Sequence, residues 1–138
     1  MMSKTFFVVD TNCFVSANLI KNSTSALAFD KALLTGRLAL SDLVLNEYTE
    51  VLYREKLDKY LNKTKRQNAL KQVKRNGIIF SPIETVTDCR DPKDNKFPEL
   101  ALACRATCII SGDPHLLILH PYRNIPILNP GDFLNSSF

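Results

Sequence analysis

Two short apolar runs of this chain each lead into an aspartate. FFVV runs straight into Asp10, which is followed by Thr11 and Asn12, and CIIS leads through Gly112 to Asp113. In a parallel α/β sheet, ligands bind beyond the carboxyl ends of the strands, so two acids at those ends are placed to share a ligand. Either aspartate alone would also serve as the N-cap of a following helix.

Glu47 is anomalous for a different reason. With residues 41–55 set at about 100° per residue, Leu43, Val44, Tyr48, Val51 and Leu52 define an apolar face, and Glu47 falls inside it between Leu43 and Val51. Asn46, Thr49 and Glu50 occupy the polar side. An unpaired buried carboxylate is costly, so Glu47 needs a cation, a hydrogen-bond donor or a water-filled cleft, unless it reaches solvent at the edge of that face.

The stretch DCRDPKDNKFPELALA adds Asp88, Asp91, Asp94 and Glu99 around the start of a further helix. Acids are normal there, because carboxylates favour the positive end of the helix dipole. On the helical wheel Asp94 lies at the margin of the face carrying Phe97, Leu100, Ala101 and Cys104, whereas Glu99 points nearly opposite. Asp94 is the candidate for a shared site, and Glu99 faces solvent or supports.

Clustered carboxylates repel one another unless a metal or shared protons neutralise them. Their hard oxygens suit Mg2+ or Mn2+, which keep several waters and engage phosphates. One or two such ions make water a nucleophile near neutral pH and stabilise the attacking and leaving oxygens of a phosphodiester displacement.

The elements that must position these acids are legible as an alternation. Apolar runs at 5–9, 78–80, 108–110 and 125–128, with a weaker one at 38–40, read as short buried strands. Between them, helical periodicity covers 23–34, stopped by Gly36, and continues from Ser41 as N-cap to residue 55. A third helix is expected from Thr64, where Thr64 and Gln67 have capping-box spacing, to the residue before Gly77. A fourth covers 98–106. The class is α/β, with a parallel sheet covered by helices on both faces.

At 138 residues, with 45% hydrophobic and 23% charged residues, the chain reads as a single domain, 1–138, that needs neither disulfides nor a structural metal. No apolar run approaches a membrane span. The start MMSKTFFVVDTN reaches an acid by Asp10 and does not read as a signal peptide, so a cytoplasmic location with no membrane partner is expected. Cys13, Cys89, Cys104 and Cys108 form no C-x-x-C pair and lie apart from His115 and His120, which argues for buried thiols rather than zinc. The net charge of +4 hides a +7 segment at 54–75, leaving −3 elsewhere. By itself that is a solvated surface; opposite an acidic site it would suit a polyanion. The closing NSSF is expected to fray.

In order and spacing, VVDTN, the Glu47 of LNEYTEVL, the DPKDNKF-to-ALA segment and CIISGDPHLL resemble the motifs of PIN-domain nucleases over nearly the whole chain. The DTN-x-x-x-S start and the late S-G-D are similar to those of the toxins of bacterial toxin–antitoxin pairs. The resemblance implies a Rossmann-like, PIN-like sheet of about five mostly parallel strands and a metal-dependent endoribonuclease acting on RNA. It also implies a homodimer and a small antitoxin that covers the cleft. Asp10, Glu47, Asp94 and Asp113 fall on the family's acidic positions, which hold Mg2+ or Mn2+. Asn12 and Ser111 match the polar positions beside them, and Asp91 competes with Asp94. Lys63, Lys65 and Arg66 would face RNA phosphates. Pro98 stands where related sequences usually carry leucine, which implies a later helix start and a changed direction for Asp94.

Other functions fit less well. A non-catalytic PIN-like RNA-binding or regulatory protein predicts loss of one or more acids, and all four are present. A phosphotransferase with Asp10 as nucleophile usually needs an acid or lysine close by, which DTNCF lacks. No G-x-G-x-x-G follows the first strand, and Ser16 and Ser111 lack a nucleophile-elbow context.

Overall fold

The computed structural model describes residues 5–138; the reading of the N-terminus as no signal peptide rests partly on residues 1–4, which lie outside them. The strands are β1 (Phe6–Val9), β2 (Arg37–Leu40), β3 (Gly77–Ile79), β4 (Cys108–Ile110) and β5 (Ile127–Leu128). All pair in parallel, in the order β3-β2-β1-β4-β5. The chain therefore builds outward from β1 to β3 and then returns to β1's other side with β4. That reversal is the switch point at which such sheets bind ligands.

The helices are α1 (Thr11–Leu19), α2 (Thr24–Thr35), α3 (Asp42–Leu52), α4 (Lys63–Asn76), α5 (Lys96–Cys104), α6 (Pro114–Leu117) and α7 (Pro130–Leu134). Right-handed crossovers put the connections from β1 out to β3 on one face and the returning connection, with α5, on the other. β1 and β4 are consequently buried on both faces, which is why they read as unbroken apolar runs. Phe7 meets the Phe133 ring of α7 at 5.2 Å between centroids, while its neighbour Phe6 meets Phe80 at 5.1 Å.

Short caps hold the helices in register with the strands. Ser23, Ser41 and Asn62 each accept from a main-chain N–H three residues on, capping α2, α3 and α4. The third of these replaces the expected Thr64 cap: Asn62 is the better-placed side-chain acceptor, so α4 starts at Lys63. Gly36 lets α2 turn into β2 against β1, since a Cβ there would lie 2.5 Å from the Thr5 carbonyl oxygen.

Three further sequence expectations are corrected. Pro98 does not delay its helix: α5 begins at Lys96, directly after a 3-10 turn at Pro92–Asn95, and Pro98 occupies the third position, where no intrahelical N–H bond is lost. Leu43 is 61% exposed rather than part of the buried face of α3, which consists of Val44, Tyr48, Val51 and Leu52. The tail is anchored, because the Lys31 ammonium donates to the Ser136 carbonyl (3.0 Å) and hydroxyl (3.1 Å) and Phe138 stacks on Phe133.

The four cysteines are free and buried, and burial pushes the Cys104 and Cys108 thiols up to about 12. Among the described residues no helix is long and apolar enough to cross a membrane.

Candidate active site

Asp10 directly follows β1, and the ladder continues one residue past the strand: its N–H donates to the Ile110 carbonyl at 3.0 Å. The register pairs Val9 with Ile110, so Asp10 and Ser111 emerge side by side. The Ser111 hydroxyl, fully buried, donates to Asp10 Oδ2 and accepts from the Asp113 N–H at 3.0 Å. Asp10 Oδ1 accepts from the Cys13 N–H at 2.8 Å, so this residue both caps α1 and turns its carboxylate to the switch point. Asp113 likewise caps α6 through the His115 N–H at 2.9 Å. Capping and lining the cleft are compatible roles here, because each cap engages one carboxylate oxygen.

α3 delivers Glu47 from the neighbouring strand end. Its next residue, Tyr48, is fully buried, stacks on Phe14 at 4.3 Å and donates its hydroxyl to the Val9 carbonyl, locking α3 to the last residue of β1. Glu47 thereby faces α1 and α5. Its Oε2 accepts the Thr11 hydroxyl, and its Oε1 lies 2.7 Å from the Lys96 ammonium. These are the partners that a glutamate on an apolar face requires.

Asp94 sits in the 3-10 turn before α5, its N–H bonded to the Asp91 carbonyl at 2.9 Å. That turn and the start of α5 are tied to the preceding loop. Asn95 accepts from the Cys89 N–H at 3.0 Å, and Glu99 accepts from the Val86 N–H at 2.8 Å, which gives Glu99 its supporting role. Asp91 is exposed and caps the turn through the Lys93 N–H.

One cleft is lined by Asp10, Thr11, Asn12, Glu47, Val51, Arg54, Asp94, Phe97, Asp113 and Leu116. All four acids singled out in the sequence meet there, with Asn12 beside them, Ser111 behind Asp10, and Asp91 outside the lining. Burial raises the Asp10 pKa above its usual 3.8 against the opposing Ser111 and Cys13 hydrogen bonds, and Asp113's charge adds to the rise. Asp94 is also raised, by burial and then by the charges of Asp113, Asp91 and Glu47, with Lys96 opposing. The acids therefore sense one another across the cleft.

This donor set fits a hard divalent cation. It offers only carboxylate, hydroxyl and amide oxygens, and its mutual repulsion is of the kind a cation relieves. Among the described residues no three of the side chains form a ready-made ligand shell. An ion that keeps much of its water needs only one or two direct carboxylates.

The basic segment divides. Lys63 and Lys65 are exposed on the first turn of α4. Arg66 is buried instead: its guanidinium donates to the Leu52 carbonyl (2.8 Å), the Arg54 carbonyl (3.2 Å) and Asp58 (3.0 Å), closing the C-terminal end of α3. A cation is favourable at that negative helix end, so Arg66 faces the fold rather than a ligand. Arg54, at the head of the same segment, lines the cleft and is held only by an exposed pair with Glu50.

The sequence did not single out Thr11 and Arg54 in the cleft lining, nor Lys96, which reaches Glu47 from the neighbouring pocket. Lys96 lies before the helix expected at 98–106, so its place against the helix dipole emerges only with the observed start of α5.

Comparisons with known proteins agree with this architecture. A family model described as a PIN domain matches residues 7–115. An uncharacterized protein of Methanocaldococcus jannaschii, MJ1680, is 32% identical over 117 residues, spanning 81% of this chain and 73% of the relative. The fold is similar to PAE2754 from Pyrobaculum aerophilum (TM-score 0.64, 14% identity, 96% of this chain and 88% of that one). It is also similar to VapBC2 from Rickettsia felis, solved bound to a DNA fragment from their promoter (TM-score 0.59, 15% identity, 91% and 98%).

Proposed function

The chain belongs to the PIN-domain family, a family of nucleases, and from that premise we propose that it is a metal-dependent endoribonuclease. The observation that carries this reading is the meeting of Asp10, Glu47, Asp94 and Asp113 in one cleft at the sheet's switch point, with Asp10 and Asp94 raised first by burial and further by their neighbours' charge.

Mg2+ or Mn2+, when bound, supplies concentrated positive charge that makes water nucleophilic near neutral pH and offsets charge developing on the phosphate. The protein's own part is to hold the acids in place. Ser111 orients Asp10, Tyr48 fixes α3 to the end of β1, and the anchored 3-10 turn presents Asp94. Asn12, at the mouth, is placed to hydrogen-bond the attacking water or the RNA.

RNA reaches the cleft along a positive surface. Arg54 joins the lining to the exposed lysines of the segment that follows, with Lys63 and Lys65 taking phosphates farther out. The decisive experiment incubates purified protein with RNA in Mg2+, in Mn2+ and in excess chelator. Cleavage only with metal supports the enzyme; binding without cleavage in any of them would establish the non-catalytic RNA-binding alternative.

The DTN-x-x-x-S start and the Ser111-Gly112-Asp113 step support a toxin role, with a homodimer and a small antitoxin partner covering the cleft. Co-expression with the adjacent open reading frame tests this. A small protein from that frame should co-purify and suppress cleavage, and the chain alone should sediment as a dimer.

A further inference from the structure

Glu47 differs from the other three acids in how it is held. Its Oε1 is 2.7 Å from the Lys96 ammonium and its Oε2 accepts the Thr11 hydroxyl, so both oxygens are engaged by the protein, one of them by a full positive charge. The pair is well shielded, with side chains 15% and 24% exposed. Asp10 has two donors as well, but both are neutral, and Asp113 has a neutral main-chain donor.

Within α5 the Lys96 ammonium has only the Phe97 ring, 5.8 Å from its centroid, as a favourable contact. A cation on the first residue of a helix opposes the dipole, so its position is explained by Glu47 and not by helix stability. Its charge also acts on Asp94, where it opposes the three acids that raise that group.

Two-metal phosphodiester sites place their ions about 3.5–4 Å apart, with carboxylates on each. Glu47, on one flank of this cleft, already carries a fixed cation, since Lys96 reaches it from the neighbouring pocket. We propose that Lys96 is a built-in second cation. It keeps Glu47 out of direct coordination and limits the cleft to one divalent ion on the side of Asp10, Asp94 and Asp113, which would reach it directly or through its waters. Lys96 is thus a positioning residue that sets metal stoichiometry, an inference resting on the metal-dependent reading above.

The test counts Mn2+ per full-length chain by electron paramagnetic resonance and calorimetry, with RNA cleavage measured on the same samples. One ion is expected in the wild type and in Lys96→Arg, which keeps the charge. Lys96→Met frees Glu47 and should admit a second ion, and Lys96→Gln does the same should the methionine variant fold poorly. Adding Glu47→Gln to either variant should return the count to one. Two ions in the wild type, or no gain in both Lys96 variants, would overturn the proposal while leaving metal-dependent cleavage intact. No binding and no cleavage in any sample would instead remove the metal-dependent reading, and this inference with it.

Discussion

Ser111 donates its buried hydroxyl to Asp10 Oδ2, across 101 residues of sequence and one step beyond the last paired residues of β4 and β1. This bond closes the switch point from below and aims the Asp10 carboxylate. Ser111→Ala should leave a buried carboxylate oxygen without its donor, costing about 1–3 kcal/mol of stability. Cleavage should fall more steeply than the melting temperature does, because Asp10 is no longer aimed. Equal activity of Ser111→Ala and the wild type would mean that this bond does not aim Asp10, which Cys13 also holds.

The shifts of Asp10 and Asp94 fix how the metal-free protein responds to pH. Both are raised, so in the native state each holds its proton to higher pH than in the unfolded chain. Stability from these groups is full below the usual aspartate value of 3.8 and is lost as pH rises through their native values. Melting temperature in chelator should therefore decline over that window. Asp10→Asn, still a fair helix cap, should flatten the decline and match or exceed wild-type stability at pH 7. Asp10→Ala should lose about 0.5–2 kcal/mol with the cap.

Metal should reverse the penalty at neutral pH. Mn2+ at 100 times its dissociation constant stabilises a protein by about 2.7 kcal/mol through mass action. Wild type should show that rise and Asp113→Asn much less of it, with RNA cleavage by Asp113→Asn down by orders of magnitude. Thermal melts with and without Mn2+, beside cleavage assays, check both; an equal metal response in the two proteins would exclude Asp113 as a ligand.

The basic segment should separate into two behaviours. Replacing Lys63 and Lys65 by glutamine should weaken RNA binding and reduce the slope of log K against log salt by about 1.4, two phosphate contacts for a single strand. Arg66→Gln should act on folding instead, losing about 2 kcal/mol as the main-chain carbonyls of Leu52 and Arg54 lose a charged donor. Binding titrations at several salt concentrations, with melts of the same variants, distinguish the two.

Much of the fold is legible in the sequence. All five strands lie within two residues of the apolar runs, most closely β1 and β4, because strands buried on both faces must be apolar throughout; β3 lies at the sheet edge and is only partly covered. Asp10 and Asp113 were visible as acids at strand ends, and Glu47 as a charge on an apolar helix face. Helix α1 was not visible. Cys13, Phe14 and Val15 are three consecutive buried residues packed between α2 and α3, so the helix shows no clean polar stripe.

Which groups meet follows from packing between distant elements. Helical period places Leu43 and Glu47 on one face, yet Leu43 is exposed and Glu47 is covered, because coverage depends on where α1 and α5 arrive. Local sequence cannot distinguish Arg66 from Lys63 and Lys65, since all three are cations on one helix turn; burial of Arg66 follows from the carbonyl end of α3 lying against it. The sequence by itself determined the acids, their order and the sheet that carries them, through periodicity and end chemistry that act over a few residues. Their partners Ser111, Thr11 and Lys96 are fixed by contacts between elements distant in the chain, and those exist only once the sheet has brought its strand ends together.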